Sequence, residues 1–488
     1  MRFPAGFTLF CLAATLAGAA PAGGSARPNI LFILMDDMGW TDAGVLGSDF
    51  YETPNIDRLA EKGMRFTAAY TCGANCTPTR ASLMTGLYTP QHGIYTVPTV
   101  EQRGEAAPGR LIGIRSREEL PASFTTVAEV LHAAGYATFH GGKWNLGAGP
   151  TAPDAQGFDV NVGGGAEGGP PGGSYFGPWK MPGLETAPAG AHLCDFVTDR
   201  AIDFITQKRA APFFAYVAFY DVHTPLQAKP ALLKKYEAKL AAHPEIGRTS
   251  GHTRAVYAAM METSDTNIGR LLAALEKSGQ ADNTLVIFYS DNGGFGGATA
   301  ARPLRGAKGM FYEGGIRVPL VAAWPGHIAA GAVTPVPVIT VDFFPTLLDC
   351  AGVPADPALP LAGVSLRPIL EGSAKTLSRD ALYWHFPTYL SRVPKGFEQD
   401  VHVPGWRATP SGAIRAGDWK LIEYFEDHTV ELFNLADDIG ERHDLAASHP
   451  GKARELQAKL AAWRKSVGAP VPTELNPGFQ PHKSAAKP

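Results

Sequence analysis

The feature that most restricts the fold is a set of apolar runs with no polar side: PNILFILM, YATFH, PFFAYVAFY and TLVIFY. A strand that is apolar on both sides needs cover on both faces, which is the situation of a parallel sheet held between two layers of helices. Helical patterns precede three of the four runs. TTVAEVLHAAG stops at its glycine before YATFH, and VTDRAIDFITQKR precedes PFFAYVAFY. Before TLVIFY, the positions Val256, Met260, Leu271 and Leu275 keep helical spacing until Gly279 ends the pattern. RVPLVAAW and VDFFPTLLDCAG add a further strand and helix. The expected fold is α/β, with a large, mainly parallel sheet flanked by helices over residues 27–375.

After about residue 375 the pattern changes. SGAIRAGDWKLIEYFEDHTVELFNL reads as short antiparallel strands joined by Gly-Asp and Glu-Asp-His turns, and KARELQAKLAAWRKSV as a closing amphipathic helix. This predicts a smaller α+β unit over 376–470, followed by a flexible tail at 471–488. Residues 1–26 carry one early arginine, an apolar run and small residues, the pattern of a cleaved signal peptide. The run is short for a bilayer, so the expected product is exported, periplasmic or extracellular, without a stable membrane anchor.

Export permits disulfides, yet only Cys72, Cys76, Cys194 and Cys350 follow the leader. Four in so long a chain form no scaffold, and their spacing does not suit zinc. The 43 Lys+Arg against 46 Asp+Glu include no basic block that would hold nucleic acid or an anionic membrane. The stretch GGGAEGGPPGG, residues 163–173, cannot form regular structure. It reads either as a surface connection or as a loop on the rim of a cleft.

Ligands of open parallel sheets bind beyond the carboxyl ends of the strands, so the residues just after each apolar run carry the most information. Those residues are Asp36 and Asp37, then GGKWN with Lys143, DVHTP with His223, and Asp291 with Asn292. Each alone has an ordinary explanation as a cap, a turn or a packed histidine. Together, Asp36, Asp37, Asp291 and Asn292 form an all-oxygen set suited to calcium or magnesium. Without a cation, carboxylates brought so close would repel and raise one another's pKa. CTPTRASLMTG, from Cys76, reads as a helix start with Pro78 near its first turn. An anion there would meet backbone N–H groups and the Arg80 guanidinium.

CTPTR matches the Cys-x-Pro-x-Arg signature of the sulfatase family, and the chain resembles that family well beyond it. ILFILMDDMGW, TPNIDRLAEKGMRFTAAYT, GGKWNLG, FYDVHTP, YSDNGG and LRGAKGMFYEGGIRVPLVAAWPG are similar to its segments, in its order, between about residues 29 and 445. The resemblance implies an alkaline-phosphatase-like fold and a Cys76 oxidised to formylglycine by a maturation enzyme. It also implies a Ca2+, with Mg2+ as the alternative, held by Asp36, Asp37, Asp291, Asn292 and the modified Cys76. The implied substrate is a sulfated small molecule or glycan, bound by Lys143, Asn145, His223 and Lys308. A hydroxyl of hydrated formylglycine would attack sulfur, with Arg80 orienting the diol and His223, helped by Lys308, protonating the leaving alcohol.

One position departs from the pattern: KWNLG places Asn145 where the family commonly has histidine. Asparagine can hydrogen-bond to the diol but takes up no proton at ordinary pH. An Asp36 or Asp37 carboxylate, or His140, could serve as the missing base, although a histidine inside YATFH also reads as simply packed. Two further readings stay open: a phosphonate or phosphate monoester hydrolase, and a catalytically weak binder of sulfated glycans.

Overall fold

The computed structural model describes residues 27–98, 104 and 108–480, so the expected signal peptide and the end of the tail lie outside the described residues. The large sheet contains β1 (Asn29–Met35), β2 (Met64–Tyr70), β3 (Ala137–Gly142), β4 (Val160–Val162), β5 (Phe213–Ala218), β6 (Thr284–Ser290), β7 (Arg317–Ala323), β8 (Ala332–Thr334) and β9 (Val338–Ile339). Their order is β4-β3-β5-β1-β6-β7-β2-β8, with β9 also paired to β2. Neighbours run parallel except at β7, which is antiparallel to both β6 and β2.

Every residue of β1, β5 and β6 is buried, as the absence of a polar face in their sequences requires. Successive side chains of β1 point to opposite layers. Leu31, Ile33 and Met35 enter a core with Val197 and Phe204 of the helix Leu193–Ile205 and with Ile268 and Leu271 of the helix Ala255–Lys277. Ile30, Phe32 and Leu34 enter the opposite core with Leu131, Phe343 and Leu347. The helix Leu193–Ile205 starts four residues before the pattern that predicted it, because Leu193 and Cys194 are buried as well.

The remaining strands are β10 (Leu382–Phe386), β11 (Leu390–Ser391), β12 (Trp406–Ala408), β13 (Ser411–Ala416), β14 (Trp419–Tyr424) and β15 (Val430–Asn434). Four of them form an antiparallel sheet in the order β10-β13-β14-β15, and β11 pairs with β12. The helix Pro450–Ser466 covers this sheet through Leu456, Leu460 and Trp463. The architecture is therefore α/β, with a large mainly parallel sheet and a smaller antiparallel sheet plus helix.

Buried charges join the two sheets. Lys420 Nζ on β14 lies 2.9 Å from Glu313 Oε1 and 2.8 Å from Glu441 Oε1. Glu313, just before β7, also accepts from the Tyr70 hydroxyl at 2.7 Å and pairs with Arg317 at 3.0 Å.

Candidate functional site

Strand ends bring the polar residues together. Met35 and Ser290 are in register across β1 and β6, so the residues that follow them leave the sheet side by side. The Asp291 N–H donates to the Met35 carbonyl at 3.1 Å, and the Asp37 N–H to Asp291 Oδ1 at 3.2 Å. On the other side of β1, the Asp36 N–H donates to the Asp221 carbonyl at 2.9 Å, and the Lys143 N–H reaches the end of β5 at 2.7 Å from the Ala218 carbonyl. Asp37 and Asn145 hold left-handed backbone, with φ of 63° and 58°, a conformation that Asp and Asn tolerate better than most residues.

The side chains form a dense ionic cluster. Lys143 Nζ is 2.6 Å from Asp36 Oδ2, and Lys308 Nζ is 2.5 Å from Asp37 Oδ1 and 3.1 Å from Cys76 Sγ. Arg80 Nε donates to Asp291 Oδ2 at 2.9 Å, and Nη2 pairs with the same oxygen at 2.8 Å. Arg80 Nη1 donates to the Lys143 carbonyl at 2.5 Å. That geometry gives the guanidinium to Asp291 and the end of β3 rather than leaving its fork open to an anion. Cys76 is the first residue of the helix Cys76–Thr85 and is only 1% exposed.

Charge and burial set the protonation states. Burial pushes Asp36 up, but Lys143, His223, Arg80 and Lys308 outweigh it and hold the carboxyl well below the usual range. Burial and the Asp36 charge push Asp291 up to about 6, against Arg80. The expected mutual raising of carboxylate pKa values therefore appears at Asp291 and is overturned at Asp36 by its cations, which also makes Asp36 a weak base. Burial pushes the Cys76 thiol up to about 12, so the unmodified side chain is no thiolate at neutral pH. Burial and Lys308 lower His223, against Asp37. Its Nδ1 lies 2.6 Å from the Thr224 carbonyl, which assigns the hydrogen to Nδ1 and turns Nε2 toward Asp37 Oδ2, 3.8 Å away.

The buried acidic cluster has the makings of a metal site, and its carboxylate and amide oxygens are donors that a divalent ion accepts. Ligand atoms of Asp36, Asp37, Cys76 and His223 all lie within 4.8 Å of one another. Asp36 Oδ1 and Asn292 Oδ1 are buried without a hydrogen-bond partner, and such orphaned acceptors are costly unless something positive meets them. Asn292 Nδ2 donates to Asp37 Oδ1 at 2.7 Å, which turns its carbonyl oxygen away from that contact. Asp291 joins the group through the Asp37 N–H, while its second oxygen faces Arg80.

Asn145 sits at the edge of this cluster. Its Oδ1 accepts from the Thr77 hydroxyl at 2.7 Å, and its Nδ2 donates to the Ala166 carbonyl at 3.2 Å. The 163–173 stretch thus lies directly against the site, as the rim-loop reading expects. His140 is packed between Trp144, Phe158 and Tyr216, and burial pushes its pKa down to about 3, so it supplies no base. The sequence reading missed Asp42, Tyr257 and Thr299, which brace the loops from behind and carry no motif that marks them.

Residues 28–353 match the family model described as Sulfatase, and residues 307–466 match N-sulphoglucosamine sulphohydrolase, C-terminal. A sulfatase of Formosa agariphila is 34% identical, covering 91% of this chain and 90% of the relative. The human N-acetylgalactosamine-6-sulfatase is 32% identical, covering 94% and 89%. The solved structure of Ps i-CgsB in complex with k-i-k-neocarrahexaose superimposes with a TM-score of 0.69 at 29% identity, covering 90% and 92%. The phosphonate monoester hydrolase of Agrobacterium radiobacter does so with a TM-score of 0.65 at 25% identity, covering 90% and 96%.

Proposed function

This chain belongs to the sulfatase family and is an arylsulfatase-like sulfuric ester hydrolase, and from that premise we propose that it removes sulfate from sulfated carbohydrates in an exported compartment. The observation that carries the reading is the buried meeting of Cys76, Lys143 and Lys308 with Asp36, Asp37, Asp291 and Asn292 at one end of the sheet. The preference for carbohydrate rests on two comparisons, the N-acetylgalactosamine-6-sulfatase and the structure in complex with k-i-k-neocarrahexaose. Residues 27–375 would carry the catalytic unit and 376–470 the smaller one.

Asp36, Asp37, Asp291 and Asn292 would hold Ca2+, which when bound draws negative charge off the sulfate oxygens. Formylglycine at position 76 would supply, as its hydrate, a hydroxyl nucleophile toward sulfur. The chain's own side chains do the rest. Lys143 and Lys308 neutralise the sulfate oxygens, and Arg80 keeps Asp291 and the end of β3 in place. His223 carries its hydrogen on Nδ1, so donation from Nε2 to the leaving oxygen requires a charged ring. An anionic ester beside it favours that form.

Two measurements test the reading: mass spectrometry of the Cys76 peptide from native protein, and turnover of an aryl sulfate against an aryl phosphate. The expected results are an aldehyde at position 76 and a strong sulfate preference, both abolished by Cys76→Ala. An unmodified thiol overturns the mechanism. A phosphate preference establishes the phosphorus-ester hydrolase that the Agrobacterium radiobacter comparison brings to mind, and binding of sulfated glycan without release of sulfate establishes a binder.

A further inference from the structure

Behind the site, one carboxylate touches both loops that carry the cation-binding side chains. Asp42 Oδ2 accepts from the Gly39 N–H at 2.9 Å and from the Tyr257 hydroxyl at 2.5 Å. Asp42 Oδ1 accepts from the Thr299 hydroxyl at 2.9 Å and lies 3.1 Å from His252 Nε2. Gly39 is two residues beyond Asp37, and Thr299 closes the loop that opens with Asp291 and Asn292. The loops pass so closely that a side chain at Gly294 would lie 2.4 Å from Thr299 Cγ2, with the Gly39 Cα only 3.4 Å away. The Gly294 carbonyl in turn accepts the Lys308 N–H at 3.0 Å, and the Tyr257 hydroxyl lies 3.3 Å from the Asp37 carbonyl. Asp42 and His252 are fully buried, so water does not compete for these bonds.

The order Ser48, His252, Asp42 also resembles a nucleophile triad, with Ser48 Oγ 3.0 Å from His252 Nδ1. Ser48 Oγ accepts the Tyr51 N–H at 2.9 Å and the Phe50 N–H at 3.3 Å, so it is a turn anchor rather than a free hydroxyl. The cluster braces the fold at the site's back wall.

We propose that Asp42 is a positioning residue that staples the Asp36 and Asp37 turn to the Asp291 and Asn292 loop, setting the spacing at which those side chains receive a divalent cation. The proposal rests on the cation site argued above. Groups that hold metal ligands from behind change metal affinity by about 10- to 100-fold when replaced. Asp42→Asn keeps the size but exchanges one acceptor oxygen for a donor, which faces either the Thr299 and His252 side or the Gly39 and Tyr257 side.

The test uses full-length protein stripped of metal. Amide hydrogen exchange comes first, because it needs no cation. Asp42→Asn should accelerate exchange in residues 38–42 and 293–299 together, although more than 250 positions separate them. Acceleration confined to 38–42, or unchanged exchange, overturns the staple even if the cation site is real. Calcium titration comes second, with an expected loss of about 10- to 100-fold in affinity. Unchanged affinity overturns the positioning role. If wild-type protein binds neither Ca2+ nor Mg2+, the cation reading fails while the exchange result still decides the staple. Should Asp42→Asn not fold, Thr299→Val removes one arm alone and is read the same way.

Discussion

Lys308 Nζ bridges Asp37 Oδ1, 2.5 Å away, and Cys76 Sγ, 3.1 Å away, so one ammonium touches both a carboxylate of the proposed cation site and the side chain proposed to become formylglycine. Burial lowers this lysine's pKa, but Asp37 and its neighbours outweigh burial and raise it, so the group stays charged at neutral pH. Lys308→Met is expected to lower kcat on an aryl sulfate by about 10²- to 10³-fold, the usual cost of one charge-stabilising donor. A variant with unchanged kcat would place Lys308 outside the chemistry.

Metal removal gives a second expectation. A cation that binds the native cluster but not the unfolded chain stabilises it by about 2.7 kcal/mol at a hundredfold excess over Kd. Calcium should therefore raise the melting temperature of chelated protein and restore its activity, and Asp36→Asn should remove both effects. A melting temperature indifferent to calcium and magnesium would leave the orphaned Asp36 and Asn292 oxygens without their partner.

Most of this site could be read from the sequence because its residues follow apolar strands, where a parallel sheet must open. Asp36, Asp37, Lys143, His223, Asp291 and Asn292 all sit just past such runs. Lys308 lies in an irregular loop, and only the family resemblance pointed to it. Asp42 was invisible for a different reason: its partners His252, Tyr257 and Thr299 lie more than 200 positions away, and no local pattern records such a contact. Strand β2 was missed because MRFTAAY interrupts its apolar residues with Arg65 and Thr67, which are part-exposed, and follows them with two alanines, which weakens the apolar signal.

The buried link between the sheets should be costly to break. Lys420→Met leaves Glu313 and Glu441 facing each other without their shared cation, and unpairing a buried charge costs about 3 to 5 kcal/mol. Burial and Glu313 already push Glu441 up to about 7, against Lys420. Chemical denaturation at pH 8 should show the loss, and the double variant Lys420→Met, Glu441→Gln should recover part of it. Equal stability of single variant and wild type would refute the assignment.

Stability should also fall in acid through His140 and His92. Burial lowers each to about 3 in the folded protein, against 6.5 for an ordinary histidine. The unfolded chain therefore binds more protons between those values. Their contribution is fully present above about pH 6.5 and is lost as pH falls toward 3. Urea unfolding at pH 7.5 and 4.5 measures it, and His140→Gln should lose less stability over that interval than wild type does. An equal loss would show that His140 titrates normally in the fold.

Asn145→His tests the departure from the family pattern. The left-handed backbone at this position admits histidine better than most residues. If the elimination step lacks a proton acceptor, the new imidazole should raise kcat by about tenfold or more and add a pH dependence near neutrality. An unchanged or lower kcat would mean that another group already serves.

The near-complete burial of Cys76 at the start of its helix has a consequence for timing. In the folded chain the Cys76 sulfur, at the start of the helix Cys76–Thr85, is closed off from another protein. The proposed oxidation of Cys76 would therefore have to precede closure of the sheet around residues 76–80. Under that proposal, molecules that fold first would keep the thiol, and the active fraction would record a race between maturation and folding.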